Sequence, residues 1–176
     1  FGPDRDAAVA VLDVGTGSGA IALAIASERA KARITATDLS AAALAVAREN
    51  AEALGLSDRV RFLEGSLFEP VAGERFDLVV SNPPYVAERD GAELPPELRH
   101  EPASALFAGP DGTDVLRALA AGVRGVLAPG GALLVELDPR QAGAMCAWLG
   151  EAGLVAVEVH RDVAGRQRVV SARKDG

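Results

Sequence analysis

Short apolar runs of strand length alternate with helix-like stretches along the whole of this 176-residue chain. The pattern predicts strands at residues 9–13, 33–37, 60–64, 76–81, 132–137, 155–160 and 169–173, and helices at 19–32, 40–54, 113–127 and 140–152. Such alternation is typical of a mostly parallel α/β sheet with helices on both faces. Only residues 161–166 join the last two strands, so these should form an antiparallel hairpin.

Composition indicates one compact domain spanning residues 1–176 and excludes several classes of protein. Hydrophobic residues make up 49% of the chain, which is ample for a single large core. The lone Cys146 cannot form an internal disulfide, so we expect a reducing, cytoplasmic location. No run of residues has the form of a membrane span or a signal peptide. His100 and His160 have no cysteine or carboxylate at ligand spacing, so no metal site is expected.

A glycine-rich loop, Asp13-Val14-Gly15-Thr16-Gly17-Ser18-Gly19, joins the first predicted strand to the first predicted helix. Glycines let the backbone bend sharply there, and a ligand can then meet the start of the helix. The dinucleotide fingerprint has its third glycine one place later. This tighter loop suits the amino-acid tail of an adenosyl compound better than a pyrophosphate. The predicted cofactor-binding residues of the loop are Asp13, Gly15, Thr16, Gly17, Ser18 and Gly19.

Asp38 follows the second predicted strand, 19 residues after Gly19. At that place a carboxylate can accept hydrogen bonds from both hydroxyls of a ribose. The alternative role for Asp38 is to cap the helix that begins directly behind it. Ser40 is the better candidate for that cap, so we assign Asp38 to the ribose.

Asn82-Pro83-Pro84-Tyr85 comes directly after the apolar run 76–81, and we call it the Asn-Pro-Pro-Tyr corner. Two consecutive prolines fix the backbone and remove amide donors where the strand ends. An asparagine oxygen and a neighbouring carbonyl can accept the two hydrogens of an NH₂ group, and a tyrosine ring can stack on its plane. The four residues of the corner are therefore the predicted catalytic residues, acting on an amide or amino nitrogen.

The segment 86–114, here called the acidic segment, follows the corner and should line the substrate entrance. Seven carboxylates lie in it against Arg89 and Arg99, and the net charge of the chain is −7. The acids are Glu88, Asp90, Glu93, Glu97, Glu101, Asp111 and Asp114. A phosphate backbone would be repelled there, and only 4% of residues are aromatic, so direct nucleic-acid binding is not expected. Residues 86–112 are predicted to be a flap over the substrate; a loop without function is the alternative.

Taken together, these motifs resemble the class I methyltransferases that use S-adenosylmethionine. More narrowly, they resemble the catalytic domain of the release-factor glutamine N5-methyltransferases. The resemblance rests on the glycine-rich loop, Thr37-Asp38-Leu39-Ser40, Leu67-Phe68, Ser81 to Val86, His100-Glu101-Pro102, Leu127-Ala128-Pro129-Gly130-Gly131, Glu136, and Arg161-Asp162 with Gly165 and Arg168. The corner alone is shared with enzymes that methylate amino groups of adenine or guanine.

The resemblance implies a Rossmann-like methyltransferase fold and S-adenosylmethionine as cofactor, with S-adenosylhomocysteine as its product. It adds Leu39, Ser66 and Leu67 to the cofactor-binding residues, together with Asn82. The implied substrate is a glutamine side chain in a protein, most readily the Gly-Gly-Gln loop of a peptide chain release factor. Asn82 and the Pro83 carbonyl would hold the amide.

Two alternatives to this function stay open: an amino methyltransferase of nucleic acid, and a binding subunit that performs no transfer. The helical N-terminal domain of the family is expected to be absent, since only residues 1–8 precede the first strand. Glu136, Arg161 and Arg168 are expected to form structural ion pairs behind the sheet.

Overall fold

The computed structural model, which describes residues 7–93 and 102–176, is built on one seven-stranded sheet. Its strands are β1 (Ala10–Val14), β2 (Arg33–Asp38), β3 (Val60–Glu64), β4 (Phe76–Ser81), β5 (Leu127–Glu136), β6 (Val155–Arg161) and β7 (Gln167–Arg173). The described α-helices are α1 (Ala20–Glu28), α2 (Ala41–Ala53), α3 (Ala103–Leu106), α4 (Asp114–Val126) and α5 (Ala142–Glu151). Short 3₁₀ turns lie at Ser57–Arg59, Glu69–Val71, Glu88–Glu93 and Pro139–Gln141.

The order of the strands across the sheet is β3-β2-β1-β4-β5-β7-β6. Strands β1 to β5 are parallel, and β7 runs antiparallel to both β5 and β6. The predicted fold class, with its C-terminal antiparallel hairpin, is therefore confirmed. The chain builds β1, β2 and β3 outward in one direction and then crosses to β4 on the other side of β1. Ligands bind at such a reversal point, beyond the carboxyl ends of the strands.

Two apolar clusters cover the two faces of the sheet. The larger one packs α4 and α5 against β1, β4, β5 and β7, and the smaller one packs α1 and part of α2 against β1 to β4. On α2, Leu44, Ala47 and Ala51 are buried at helical spacing, and Gly55 follows with a left-handed φ of 67°. The burial of both faces explains why the central strands are apolar nearly throughout.

The structure moves several predicted boundaries, most of all that of β5. This strand begins at Leu127 rather than at residue 132, because Leu127 already pairs with Phe76 and the register then shifts before Ala132 pairs with Leu78. Gly130, at a φ of 73°, lies in this irregular stretch. The helix predicted to end at residue 32 ends at Glu28. The other predicted elements agree with the structure to within two residues.

Two negative findings apply to the described part of the chain. None of its helices is both long and apolar enough to cross a membrane. Within the same residues, no group of three or more His, Cys, Asp or Glu side chains is placed to hold a metal ion.

Candidate active site

The sheet brings the three predicted motifs to the same edge. Val14 at the end of β1 is paired with Thr37 of β2 on one side and with Ser81 of β4 on the other. The Ser81 hydroxyl also donates a hydrogen bond to the Val14 carbonyl at 2.7 Å. The glycine-rich loop, Asp38 and the Asn-Pro-Pro-Tyr corner therefore leave three adjacent strands at the reversal point of the sheet.

Hydrogen bonds to the end of β2 fix the first half of the glycine-rich loop. The amides of Gly15 and Thr16 both donate to the Thr37 carbonyl, at 2.8 and 3.0 Å. Gly15 and Gly17 have left-handed φ values of 69° and 56°, which explains why glycine is needed there. A Cβ atom built on either residue would meet no heavy atom within 4 Å. The loop is thus held from behind while the space at its glycines is open.

The second half of the loop packs against α2. Gly19 starts α1 with a φ of 83°, and a Cβ atom there would lie 3.2 Å from the Cβ of Ala47. The side-chain amide of Asn50, also on α2, donates to the Ser18 carbonyl at 2.9 Å. Asn50 was missed in the sequence, because a polar residue on an exposed helix gives no signal of a partner 32 positions away.

Asp13 is buried, and only one of its two carboxylate oxygens accepts hydrogen bonds from described residues. Its Oδ2 accepts from the Thr16 hydroxyl at 2.7 Å and from the Ala22 amide at 3.1 Å. Its Oδ1 is buried and has no hydrogen-bond partner in the described part of the chain. Burial and, to a smaller extent, the charge of Asp38 raise the pKa of Asp13 to about 6, against the lowering effect of its two hydrogen bonds. A buried, unpaired acceptor beside an open loop suits a cationic donor such as an ammonium group.

Both oxygens of Asp38 hold backbone amides. Oδ2 accepts from Gly17 at 2.8 Å and Oδ1 accepts from Ser40 at 2.9 Å. The Ser40 hydroxyl accepts from the Ala43 amide at 3.2 Å, so Ser40 caps α2 as expected. Each carboxylate oxygen has two lone pairs, which leaves acceptor capacity for ribose hydroxyls. The ribose role stays a prediction, and the structure adds a second role, that of fixing the glycine-rich loop.

The loop after β3 lies beside Asp38. The Gly65 amide donates to the Asp38 carbonyl at 3.0 Å, and the Thr37 hydroxyl donates to the Leu67 carbonyl at 3.3 Å. Leu67 has a left-handed φ of 46°, a conformation that a leucine adopts only when its surroundings enforce it. Leu39 is 70% exposed at the end of β2. The cofactor-binding roles of Leu39, Ser66 and Leu67 remain predictions.

In the Asn-Pro-Pro-Tyr corner, Asn82 is exposed, Pro83 is buried, and Pro84 and Tyr85 are half-buried. The Asn82 side chain makes no hydrogen bond to any residue that the structure describes. Its carboxamide is thus available to a ligand, while the prolines behind it fix its backbone. The catalytic roles given to these four residues stay predictions.

Tyr85 faces charged side chains at the ends of β5 and β7. Burial raises the pKa of Tyr85, as does the carboxylate of Glu136, and the guanidinium of Arg168 opposes them. The prediction of structural ion pairs among these residues was wrong. In the described part of the chain, Glu136 forms no ion pair with Arg161 or Arg168. Arg168 instead donates to the Leu137 carbonyl at 3.5 Å and Arg161 donates to the Gly165 carbonyl at 2.6 Å. Glu136 and Arg168 therefore belong to the surroundings of the corner.

The described parts of the acidic segment are more ordered than the expected loop. The Val86 amide donates to the Leu106 carbonyl at 2.9 Å, and the Ala108 amide donates to the Val86 carbonyl at 3.0 Å. This pairing ties both ends of the segment together beside the corner. Arg89 forms an ion pair with Asp111 at 2.8 Å. The predictions for Glu97, Arg99, His100 and Glu101 lie outside the described residues.

Comparison with known proteins agrees with this geometry. A family model described as methyltransferase small domain matches residues 4–113, which include the glycine-rich loop, Asp38 and the corner. The chain belongs to this methyltransferase family. A release factor glutamine methyltransferase of Deinococcus radiodurans is 53% identical over 166 residues, which cover 94% of this chain and 58% of that protein. One of Bordetella pertussis is 50% identical over 164 residues, covering 93% of this chain and 60% of that protein.

The domain described here is thus similar to part of a longer protein. The chain spans about 58% of the length of the Deinococcus radiodurans relative. Among solved structures, a ribosomal protein L11 methylase from Lactobacillus delbrueckii subsp. bulgaricus matches with a TM-score of 0.70 and 24% identity, over 97% of this chain and 72% of that one. A methyltransferase from Pyrococcus furiosus matches with a TM-score of 0.72 and 19% identity, over 98% and 78%. At these identities the structures support the methyltransferase fold alone.

Proposed function

We propose that this domain transfers a methyl group from S-adenosylmethionine to the side-chain amide nitrogen of a glutamine in a protein. The proposed protein is a peptide chain release factor, methylated in its Gly-Gly-Gln loop. One observation carries the proposal: the exposed Asn82 carboxamide follows β4, directly beside the open glycine-rich loop that follows β1. The names of relatives about 50% identical to this chain support the same substrate.

The residues beyond β1 and β2 fit S-adenosylmethionine. The unpaired Oδ1 of Asp13 would accept from the ammonium group of the methionine portion, and Asp38 would accept from the ribose hydroxyls. The glycine-rich loop leaves room for the ligand backbone to approach. When bound, this cofactor supplies a methyl group already activated by the positive charge on sulfur. The protein then has mainly to align the donor with the acceptor.

The corner would provide that alignment for the acceptor. The Asn82 oxygen would accept one N–H of the glutamine amide, the Pro83 carbonyl would accept the other, and the Tyr85 ring would pack on the amide plane. An amide nitrogen is a poor nucleophile, because its lone pair is delocalised into the carbonyl group. Contacts that favour a pyramidal nitrogen would stabilise the transition state more than the ground state. Such contacts would raise the rate of transfer without tighter substrate binding.

Charge around the corner favours a protein substrate over nucleic acid. The chain carries a net charge of −7, and the acidic segment follows the corner directly in sequence. Part of this charge is paired internally, since Asp111 contacts Arg89 and Asp90 contacts Arg140. The remaining field repels phosphates and attracts a basic protein loop. Glycines beside the target glutamine would let its side chain reach into the corner.

Mass spectrometry after incubation with labelled S-adenosylmethionine tests the proposal. An intact release factor, a Gly-Gly-Gln peptide, transfer RNA and duplex DNA are each offered as the acceptor. We expect a single methyl group on the glutamine side chain, with the intact release factor as the best substrate. A methyl group on adenine or guanine with none on glutamine would assign the domain to the nucleic-acid branch. No transfer to any acceptor, with intact cofactor binding, would favour a binding subunit.

A further inference from the structure

The side chain of Gln141 forms a hydrogen bond to the backbone of the corner, which no sequence pattern predicted. It ends the 3₁₀ turn after β5 and is 7% exposed. Its Nε2 donates to the Tyr85 carbonyl and to the Gly112 carbonyl, both at 2.9 Å. Its Oε1 accepts from the Asp138 amide at 3.2 Å. Both amide hydrogens and the oxygen are therefore used, and we call this arrangement the Gln141 bridge.

The Gln141 bridge joins two places that are far apart in sequence. Tyr85 is the last residue of the corner, and Gly112 is where the chain returns after the flap predicted at 86–112. The two backbones are in close contact: a Cβ atom on Gly112 would lie 2.5 Å from the Tyr85 carbonyl oxygen and 2.7 Å from the Ala87 nitrogen. Gly112 also has a left-handed φ of 71°. Only glycine fits at position 112, and the Gln141 amide bonds to the carbonyls of both Tyr85 and Gly112, in addition to the backbone bonds between Val86 and residues 106 and 108.

Only Gln141 among the described residues donates a hydrogen bond to either of these two carbonyls. Losing its side chain would leave both of them, and the Asp138 amide, without a partner. The contacts of Gln141 lie on the acceptor side of the site. None of its hydrogen bonds reaches the glycine-rich loop, Asp13 or Asp38.

We propose that Gln141 is a positioning residue for methyl transfer. By holding the Tyr85 and Gly112 carbonyls, it sets the place of the Tyr85 ring relative to Asn82 and keeps both ends of the segment 86–112 together beside the corner. It acts through the backbone of Tyr85 and does not need to contact the substrate. This role rests on the function proposed above. It predicts that loss of the Gln141 side chain lowers kcat but leaves the affinity for the cofactor unchanged.

Two substitutions test the Gln141 bridge. Gln141→Met keeps the length of the side chain without polar atoms, and Gln141→Glu keeps its shape but replaces the donating NH₂ with an oxygen. In both variants kcat for glutamine methylation should fall by about tenfold or more. The Kd for S-adenosylmethionine, from calorimetric titration, should stay within about twofold of the native value. Hydrogen exchange at the Val86 and Ala108 amides should accelerate by about tenfold or more.

Gln167→Met is the matched control, because it makes the same substitution at a half-buried glutamine on β7 whose side chain forms no hydrogen bond with a described residue. It should leave kcat and both exchange rates unchanged. Native kcat and native exchange in the Gln141 variants would overturn the proposal. A loss of cofactor affinity equal to the loss of kcat would also overturn it, since that result indicates a general loss of structure. If the native protein methylates no glutamine, the proposed function fails, and the exchange rates alone then decide whether the bridge exists.

Discussion

Replacing Asp13 with asparagine should change how the stability of the cofactor-free domain depends on pH. Burial raises the pKa of this carboxyl from 3.8 to about 6 in the folded protein. The folded state therefore binds the proton more tightly than the unfolded state does. The stabilisation from protonated Asp13 is fully present below pH 3.8 and is lost as the pH rises through about 6. At neutral pH the native protein carries a buried charge that asparagine would not have.

The size of the effect follows from the shift in pKa. One pKa unit corresponds to about 1.4 kcal/mol, so a shift of about two units gives roughly 3 kcal/mol. For a domain of this length, 3 kcal/mol corresponds to a change in melting temperature of roughly 6–12 °C. Asparagine also leaves new N–H donors buried, which costs about 1–3 kcal/mol at every pH. The change in the stability difference with pH is therefore a cleaner measure than its value at one pH.

Urea unfolding of both proteins between pH 4 and pH 8, without cofactor, measures this difference. The stability of Asp13→Asn relative to the native protein should rise by about 2.5 kcal/mol from pH 4 to pH 7.5, because part of the full effect already lies below pH 4. Every other titratable group is present in both proteins. Its contribution therefore cancels in the difference in unfolding free energy, unless the group interacts with Asp13. Asp38 is such a group, so Asp38→Asn is combined with Asp13→Asn in a double-mutant cycle. If the difference in unfolding free energy between the two proteins stays constant across this pH range, the pKa of Asp13 is not raised and the reasoning is wrong.

Three further substitutions separate the parts of the site. Asn82→Ala should lower the rate of methyl transfer by about a hundredfold or more while changing the Kd for S-adenosylmethionine by less than about threefold. If the variant transfers radiolabelled methyl groups at the native rate, the corner is only a structural turn. Asp38→Ala should weaken cofactor binding in calorimetry by about tenfold or more, because it removes a charged acceptor and releases the Gly17 amide, and an unchanged Kd would contradict the ribose role. Ser40→Ala should cost about 1 kcal/mol, or roughly 2–4 °C in melting temperature, through the lost cap of α2. An unchanged melting temperature would show that the Ala43 amide is satisfied without it.

Local patterns were sufficient to predict most of the fold. The strand around Val11 and the helix carrying Leu44 have apolar periodicities that the core then uses. The start of β5 could not be predicted, because Pro129-Gly130-Gly131 has the composition of a turn. Its strand pairing comes from a contact between Leu127 and Phe76, which the sequence does not encode locally.

The sequence motifs predicted which residues meet at this edge of the sheet, but not the hydrogen bonds that hold them there. Asp38 was identified from its distance to the glycines, but its bond to the Gly17 amide depends on how the loop folds back onto β2. Gln141 was missed entirely, because its two carbonyl partners lie 56 and 29 positions away. A buried glutamine in a turn looks like any polar residue until the fold places unpaired carbonyls beside it.

The proposed cofactor half of the site, the glycine-rich loop with Asp38, and the proposed acceptor half, the Asn-Pro-Pro-Tyr corner, are held in place by different contacts. The cofactor half is fixed by contacts between the neighbouring strands β1 and β2, such as the bonds from Gly15 and Thr16 to the Thr37 carbonyl. The acceptor half depends on residues after β5, because the Gln141 bridge reaches Tyr85 from that side of the sheet. Changes after β5 should therefore alter turnover and choice of acceptor while cofactor affinity is preserved. Relatives with the same glycine-rich loop could then act on different acceptors, because the fold and its cofactor loop do not by themselves determine the substrate.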